Sequence, residues 1–336
     1  MHNFFLCRFT AYIFYNMIFL LSKYYMLECS AFPAFIFSYP TFQPFNYNFF
    51  AHFGNRTVGM ETLDLERLMI ICILTGVIHM VETLSYSARL AGIRTRRLYL
   101  AGALFSLLVL LARTANMVQA PLLGSIVDTT IMAGNAPMLV EPFRLIIFSA
   151  TTGSILAAML IPTFINIFTF LIASLERNES LGMMIFRMIN TDKFFKKIYR
   201  RVEKSARRPR FYHLLLLREK KIPKTLIMFT ILVASINTVG VLSAIYAGAL
   251  LPDYRLTASQ LSGVLNGFST IILTFFIDPY ASLITDHVMA GKRRAQELSA
   301  LVACLVTGKI VGTILGQLLL LPCARFVVFV TMLLQN

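Results

Sequence analysis

Hydrophobic positions from residue 66 onward fall into six long blocks, at about 66–86, 98–123, 145–173, 225–250, 261–289 and 298–321, separated by polar stretches. A helix needs about 20 apolar residues to cross roughly 30 Å of hydrocarbon. The pattern therefore predicts an all-α integral membrane protein, a bundle of about six transmembrane helices. Within the first block the polar positions are ordered. At about 100° per residue, Thr75, His79, Glu82, Tyr86 and Arg89 fall within roughly 80° of one helical face. Val77, Ile78, Met80, Val81 and Leu84 lie opposite. A stripe holding both an acid and a base predicts a helix with one face turned away from lipid.

Other blocks carry polar groups as well. In span two, Arg113, Asn116 and Gln119 are three apart and fan across about 120° of the helix, with Ser106 nearly beneath Arg113. An arginine near mid-span costs about 2.5–3.5 kcal/mol even on a lenient insertion scale. It calls for a partner or a wet cavity, and Glu82 is the natural partner. Pro121 is expected to break the helix soon after Gln119, freeing carbonyls to line that cavity. In span five, Asn266, Thr270, Thr274 and Asp278 are each four apart, and Pro279 predicts a kink at Asp278. Asp278 is either a carboxylate at a broken helix, as in ion-coupled carriers, or a residue of the span's mouth, where Asp286 is placed. Span six offers Gly308, Gly312 and Gly316 as a close-packing seam. Lys309 beside it is either a second buried cation or a partner for Asp278.

Composition supports the membrane assignment: 57% of residues are hydrophobic and 14% charged, against about 45–50% and about 25% in soluble domains. A net charge of +15 raises the question of nucleic acid, but 15 of the 31 Lys and Arg lie between Arg177 and Lys224. The positive-inside effect accounts for them without a nucleic-acid partner. Basic loops follow spans one (Arg89, Arg94, Arg96, Arg97), three, and five (Lys292, Arg293, Arg294). Loops after spans two and four carry acids and a single arginine each, Asp128 and Glu141 with Arg144, then Asp253 with Arg255. That alternation places the basic loops in the cytoplasm and both ends of residues 60–336 outside. Residues 176–224 form an amphipathic basic cytoplasmic segment. In DKFFKKIYRRVEK, Phe194, Phe195, Ile198 and Val202 alternate with lysines and arginines, which suits a helix lying on anionic membrane lipids.

Residues 1–59 differ in texture. They hold 19 of the 42 Phe and Tyr, carry prolines at 33, 40 and 44, and lack the layout of a signal peptide. Met60 is the expected functional start, with 1–59 assigned no function; a genuine extra helix is the competing reading. The five cysteines (Cys7, Cys29, Cys72, Cys304, Cys323) form no metal-like or disulfide-like spacing. His79 and Glu82 make an HxxE pair, but no third ligand shares their setting, and no phosphate loop, GxSxG or HExxH is present. No cofactor or metal is implied. The residues describe a six-helix carrier or flippase with a cationic, amide-lined interior suited to an anionic substrate with a polar head.

Two stretches, IHMVETLSYSARLAGIRTRRL (78–98) and LLARTANMVQAPLLGSIVD (110–128), resemble the Amj family of bacterial lipid II flippases. The likeness extends over about 66–334 in span layout and basic-loop placement, and leaves out 1–59. It implies a multi-pass protein of the bacterial cytoplasmic membrane. Its partner would be lipid II, the undecaprenyl-pyrophosphate-linked peptidoglycan precursor, moved from the inner to the outer leaflet without enzymatic chemistry. It supplies no residue roles. The translocation residues His79, Glu82, Tyr86, Arg89, Arg113, Asn116, Gln119, Asp278 and Lys309 are inferred from expected burial and charge. An ion-coupled secondary transporter of another anionic or polyprenyl-phosphate substrate is the alternative.

Overall fold

The computed structural model describes residues 62–134, 136–178 and 222–335. The interfacial helix expected around 193–204 and the N-terminal stretch 1–59 lie outside the described residues. Arg67–Asn336 packs as one compact unit, and Met1–Glu66 groups separately. The described elements are α1 (Thr62–Ser85), α2 (Ser87–Thr95), α3 (Leu98–Met132), α4 (Val140–Asn178) and α5 (Lys224–Leu250). They continue as α6 (Arg255–Ile272), a π-helical turn (Leu273–Ile277), α7 (Asp278–Met289) and α8 (Ala295–Gln335), with short 3-10 turns before α4 and α6. No strand occurs among the described residues.

Six helical stretches are long and apolar enough to cross a membrane, as expected: Leu65–Thr95, Leu98–Met132, Ala136–Glu176, Lys224–Leu250, Pro252–Met289 and Ala295–Gln335. Several outrun the expected bounds because proline did not stop them. Pro121 lies inside α3 and Pro322 inside α8. A proline removes one helical hydrogen bond, and within a membrane bundle the freed carbonyl is tolerated where neighbours or a cavity receive it. Pro121 thus frees the Met117 carbonyl, four residues back, instead of breaking α3.

Two spans are interrupted. The first bends at Tyr86, between α1 and α2, where side-chain hydroxyls compete for helical carbonyls: Thr83 on His79 O (2.7 Å), Ser85 on Glu82 O (2.7 Å) and Ser87 on Leu84 O (2.6 Å). In the fifth, the kink expected at Asp278 falls just before it. The Asp278 amide donates to Leu273 O, five residues back. Widening this turn gives the Pro279 ring room against the Phe275 carbonyl.

Glycines set the closest crossings. Gly308, Gly312 and Gly316 of α8 lie along α5, where a β-carbon at 312 would sit 2.6 Å from Ala234 Cβ and 2.7 Å from Ile231 O. The expected seam is present. A second one, Gly76 of α1 against Gly153 of α4, has the two backbones so close that a β-carbon on Gly153 would land on Gly76.

Near the end of the bundle that carries Arg89–Arg97, the core divides in two. Ala88, Ala91, Ala101, Leu104, Phe168 and Ile172 join α2, α3 and α4. Leu226, Ile272, Ile277, Ile284, Leu298 and Leu301 join α5, α6, α7 and α8 with the π turn. The first three spans and the last three each build one of these clusters, and both apolar contacts (Tyr86, Leu90 and Ile93 of the first span pack against the second cluster) and polar contacts cross between them. The outward apolar side chains, among them Leu110 (60% exposed), Phe275 (71%) and Leu318 (72%), form a surface suited to lipid.

Candidate functional site

The helix carrying the polar stripe is enclosed on both faces. Val77, Ile78, Met80 and Leu84, opposite the stripe, are as buried as any core residue. The stripe itself is the part that keeps some access to open space: His79, Glu82, Tyr86 and Arg89 are half-buried, and Thr75 is buried. From Thr75 to Arg89 it covers about 21 Å along the helix axis.

Its charges meet partners other than those expected. Lys309 Nζ of α8 lies 2.7 Å from Glu82 Oε2, with side chains 8% and 30% exposed. Arg89 Nη2 of α2 lies 2.9 Å from Asp278 Oδ1 of α7, with side chains 14% and 37% exposed. The Arg89 guanidinium also sits 5.1 Å above the Phe105 ring, which packs on Tyr86. The expected Glu82–Arg113 pair is not formed, and of the two readings left open for Lys309 it is the buried cation, not the partner of Asp278. Arg113 is exposed and makes no ion pair among the described residues. Periodicity places a side chain on a face of its own helix but carries no information on register against another helix. Two acids and three cations can be paired several ways from sequence.

Both ion pairs join the first half to the second: α1 to α8 and α2 to α7. At the other end of the bundle, Arg255 of α6 pairs with Asp128 of α3 at 2.9 Å, and Gln317 of α8 donates to Arg144 O of α4 at 2.9 Å. Within the first half, Arg97 pairs with Glu176, and Arg94 donates to Asn166 Oδ1 at 2.9 Å.

Farther along α1 from Arg89 than these ion pairs lies a cavity of about 260 Å³. Its walls come from five helices: Thr75, Ile78 and His79 of α1; Asn116, Met117 and Gln119 of α3; Ile146 of α4; Asn237 and Thr238 of α5; and Asn266 of α6. Met117 both lines it and is 75% exposed, so the cavity communicates with the outer surface of α3. Gln119 Nε2 donates to Thr75 Oγ1 at 2.6 Å, and that hydroxyl donates to Ile71 O at 2.8 Å. The single hydroxyl hydrogen of Thr75 is thereby used, which fixes the Gln119 amide with its nitrogen on Thr75 and its oxygen free. Ser269 bridges Asn237 Oδ1 and the Asn266 carbonyl. Three polar atoms of cavity-lining residues, His79 Nδ1, Gln119 Oε1 and Asn266 Oδ1, are packed into the surrounding protein without a hydrogen-bond partner, Asn266 Oδ1 against Gly240.

The structure thus divides the nine sequence-derived residues. His79, Asn116 and Gln119 share the cavity; Glu82, Arg89, Asp278 and Lys309 form the two bridges between halves. Tyr86 packs at the bend, and Arg113 stands one turn from Asn116. Asp286 is exposed, as placed at the mouth of its span. Sequence reasoning left Asn237 and Thr238 out of the site. The signal was available, since Asn237 is an amide in the middle of an otherwise apolar span. Among the described residues no three His, Cys, Asp or Glu side chains gather as a metal would require. Cys72, Cys304 and Cys323 are free thiols.

Comparison with known proteins places this arrangement. The sequence pattern of the family described as "Amj: Alternate to MurJ" matches residues 74–331. The chain belongs to the Amj family. It is 36% identical over 273 residues to the "Lipid II flippase Amj" of Bacillus subtilis (strain 168), covering 81% of this chain and 99% of that protein. No solved structure matches. The family match takes in every residue of the cavity and of both bridges between halves, from Thr75 to Lys309. For an Amj-family protein the chemistry to explain is therefore transport, by a bundle whose cavity sets four amides and a histidine among apolar side chains.

Proposed function

We propose that this Amj-family chain is a lipid II flippase of the bacterial cytoplasmic membrane. It moves the undecaprenyl-pyrophosphate-linked precursor from the inner to the outer leaflet. The observation that carries the reading is the match to nearly the whole length of a relative named for that activity. The cavity supports it: amides and His79 set among apolar side chains, beside the exposed Met117, offer a head group polar contacts while its polyprenyl chain stays in lipid.

In this reading the bundle end bearing Arg94, Arg97 and Lys292–Arg294 is cytoplasmic, and both ends of 60–336 are outside. The bridges Arg89–Asp278 and Glu82–Lys309 then stand between the cytoplasm and the cavity and hold the two halves closed on that side. Opening requires both to part. The bend at Tyr86 and the π turn at Leu273–Ile277 each lie within a few residues of Arg89 and Asp278, where a change of angle separates them. No cofactor takes part, nucleic acid is not a partner, and no bond of the substrate is made or broken.

Purified full-length protein in liposomes is expected to expose labelled lipid II to the opposite leaflet. Protein-free liposomes and Glu82→Gln protein should not. The 37% exposed Asp278 carboxylate beside the π turn favours a second reading, an ion-coupled carrier of another anionic lipid. In that case transport should respond to a pH gradient and lose the response in Asp278→Asn, and lipid II should not be moved.

A further inference from the structure

Arg113 is a charge that neither bridge between the halves accounts for. It stands halfway along α3, 16 residues from Arg97 and 15 from Asp128, which pair with Glu176 and Arg255 at the two ends of the bundle. Those spacings are about 24 and 22 Å of helix, whereas the hydrocarbon extends only about 15 Å either side of its middle. Arg113 therefore lies near mid-membrane, too deep for its side chain to reach either interface, and a guanidinium stays charged there. Around the helix it shares an exposed face of about 60° with Ser106, Leu110 and Met117. A cation is thus set in a mostly apolar stripe.

Glu82 does not neutralise it. Gln119 meets Thr75 and Phe105 meets Tyr86, so α1 and α3 run antiparallel, and Glu82 comes level with the turn of α3 that holds Arg113. Arg113 is near enough for its charge to act on Glu82, yet Lys309 takes the ion-pair position at 2.7 Å. Lys309, Glu82 and Arg113 form a row of two cations and one anion, and the exposed member carries the surplus. Farther toward Arg97, Arg89 and Asp278 balance each other. In a medium of low dielectric constant a surplus cation attracts an anion strongly. Ordinary phospholipids keep their phosphates at the interface, about 15 Å away. The anion that reaches Arg113 has to be one that is itself crossing.

We propose that Arg113 binds the pyrophosphate of the polyprenyl lipid in transit at mid-membrane, and that Glu82 weakens this hold so that the anion can leave. This rests on the lipid II reading above and deepens it. The guanidinium offers phosphate oxygens a bidentate fork. Leu110 (60% exposed) and Met117 (75%) flank it with apolar surface for the prenyl chain, and Asn116, one turn on, lines the cavity. Passage needs a site that attracts its ion without keeping it. Glu82 meets that need, because its carboxylate lowers the net charge of the row from two to one.

The test measures competition against bound, labelled lipid II on the full-length protein in phosphatidylcholine nanodiscs. The competitors are undecaprenyl pyrophosphate, its uncharged alcohol undecaprenol, and inorganic pyrophosphate in solution. In the wild type, undecaprenyl pyrophosphate should compete better than undecaprenol by about tenfold or more. Arg113→Gln should bring the two lipids within about threefold of each other, and Arg113→Lys should keep most of the difference. Glu82→Gln should tighten undecaprenyl pyrophosphate by about threefold or more, and adding Arg113→Gln to it should abolish that gain. Inorganic pyrophosphate, or phosphatidylglycerol mixed into the nanodiscs, should not displace lipid II. Equal competition by undecaprenyl pyrophosphate and undecaprenol in the wild type overturns the proposal without any variant. So does an undiminished difference between them in Arg113→Gln. Inorganic pyrophosphate or phosphatidylglycerol as effective as the polyprenyl lipid overturns the mid-membrane placement. A Glu82→Gln protein that binds no tighter, or a gain that survives loss of Arg113, overturns the role of Glu82. Wild-type protein that shows the expected preferences in nanodiscs yet moves no lipid II in liposomes overturns the functional reading instead.

Discussion

Lys309 shows what a residue's own sequence context can and cannot say. Its place beside a glycine seam in mid-span marked it as a buried cation, and it is 7% exposed. Its partner was not readable, since Asp278 and Glu82 were equally open to it from spacing alone; the register of α8 on α1 chose Glu82. The same ambiguity assigned Arg113 to Glu82 in the sequence, whereas in the structure Lys309 takes the ion-pair position on Glu82. The Lys309–Glu82 pair predicts a stability coupling. Removing one member of a buried pair costs about 3–5 kcal/mol, and the 30% exposure of Glu82 points to the lower figure. Glu82→Gln and Lys309→Met should each lower the melting midpoint in detergent. The double variant should lose less than the two singles added, with a coupling of about 1–3 kcal/mol. Strict additivity would separate the two residues, and coupling of Glu82 to Arg113 would restore the sequence-based pairing.

At the scale of elements, span number and the α8 seam were legible because long apolar runs and four-residue glycine spacing carry their meaning locally. Helix ends were not. Pro121 read as a terminator but lies inside α3, since a bundle tolerates the missing bond that a soluble helix would not. The Gly76–Gly153 crossing was also missed, because one glycine in each helix makes no repeat. The seam gives a paired prediction. Gly312→Leu drives a side chain into Ala234 and the Ile231 carbonyl and should cost about 3 kcal/mol or more. Gly263→Leu, where a β-carbon meets nothing within 4 Å, should be tolerated. Equal melting and yield of the two would show that α8 does not pack on α5 through glycine. The bends give another. Cysteines placed at Arg89 and Asp278 and joined by a short bis-methanethiosulfonate, each thiol displacing a methanesulfinate, should stop transport while leaving ligand binding from the outer leaflet intact, and cleavage of the link by a reductant should restore it. Transport that continues in fully linked protein would remove the bridge as a moving closure.

For the whole molecule, six spans, an all-helical fold and the family itself were legible, because hydropathy, loop charge and two polar-in-apolar stretches each report without tertiary knowledge. The cavity was half legible. His79, Asn116 and Gln119 stood out, while Asn237 and Thr238 come from α5, whose nearly continuous apolar texture hid its single amide. The division of labour between a neutral cavity and charged bridges was not in the sequence at all, because it depends on which helices meet. The central claim is that this molecule moves lipid II across the membrane. It is tested most directly by expressing the full-length chain in a bacterium depleted of its own lipid II flippase and measuring growth and new wall incorporation. The account predicts that wild-type protein restores both and that Glu82→Gln, at equal membrane abundance, restores neither. Well-expressed wild-type protein that leaves the depleted cells unable to build wall would contradict it.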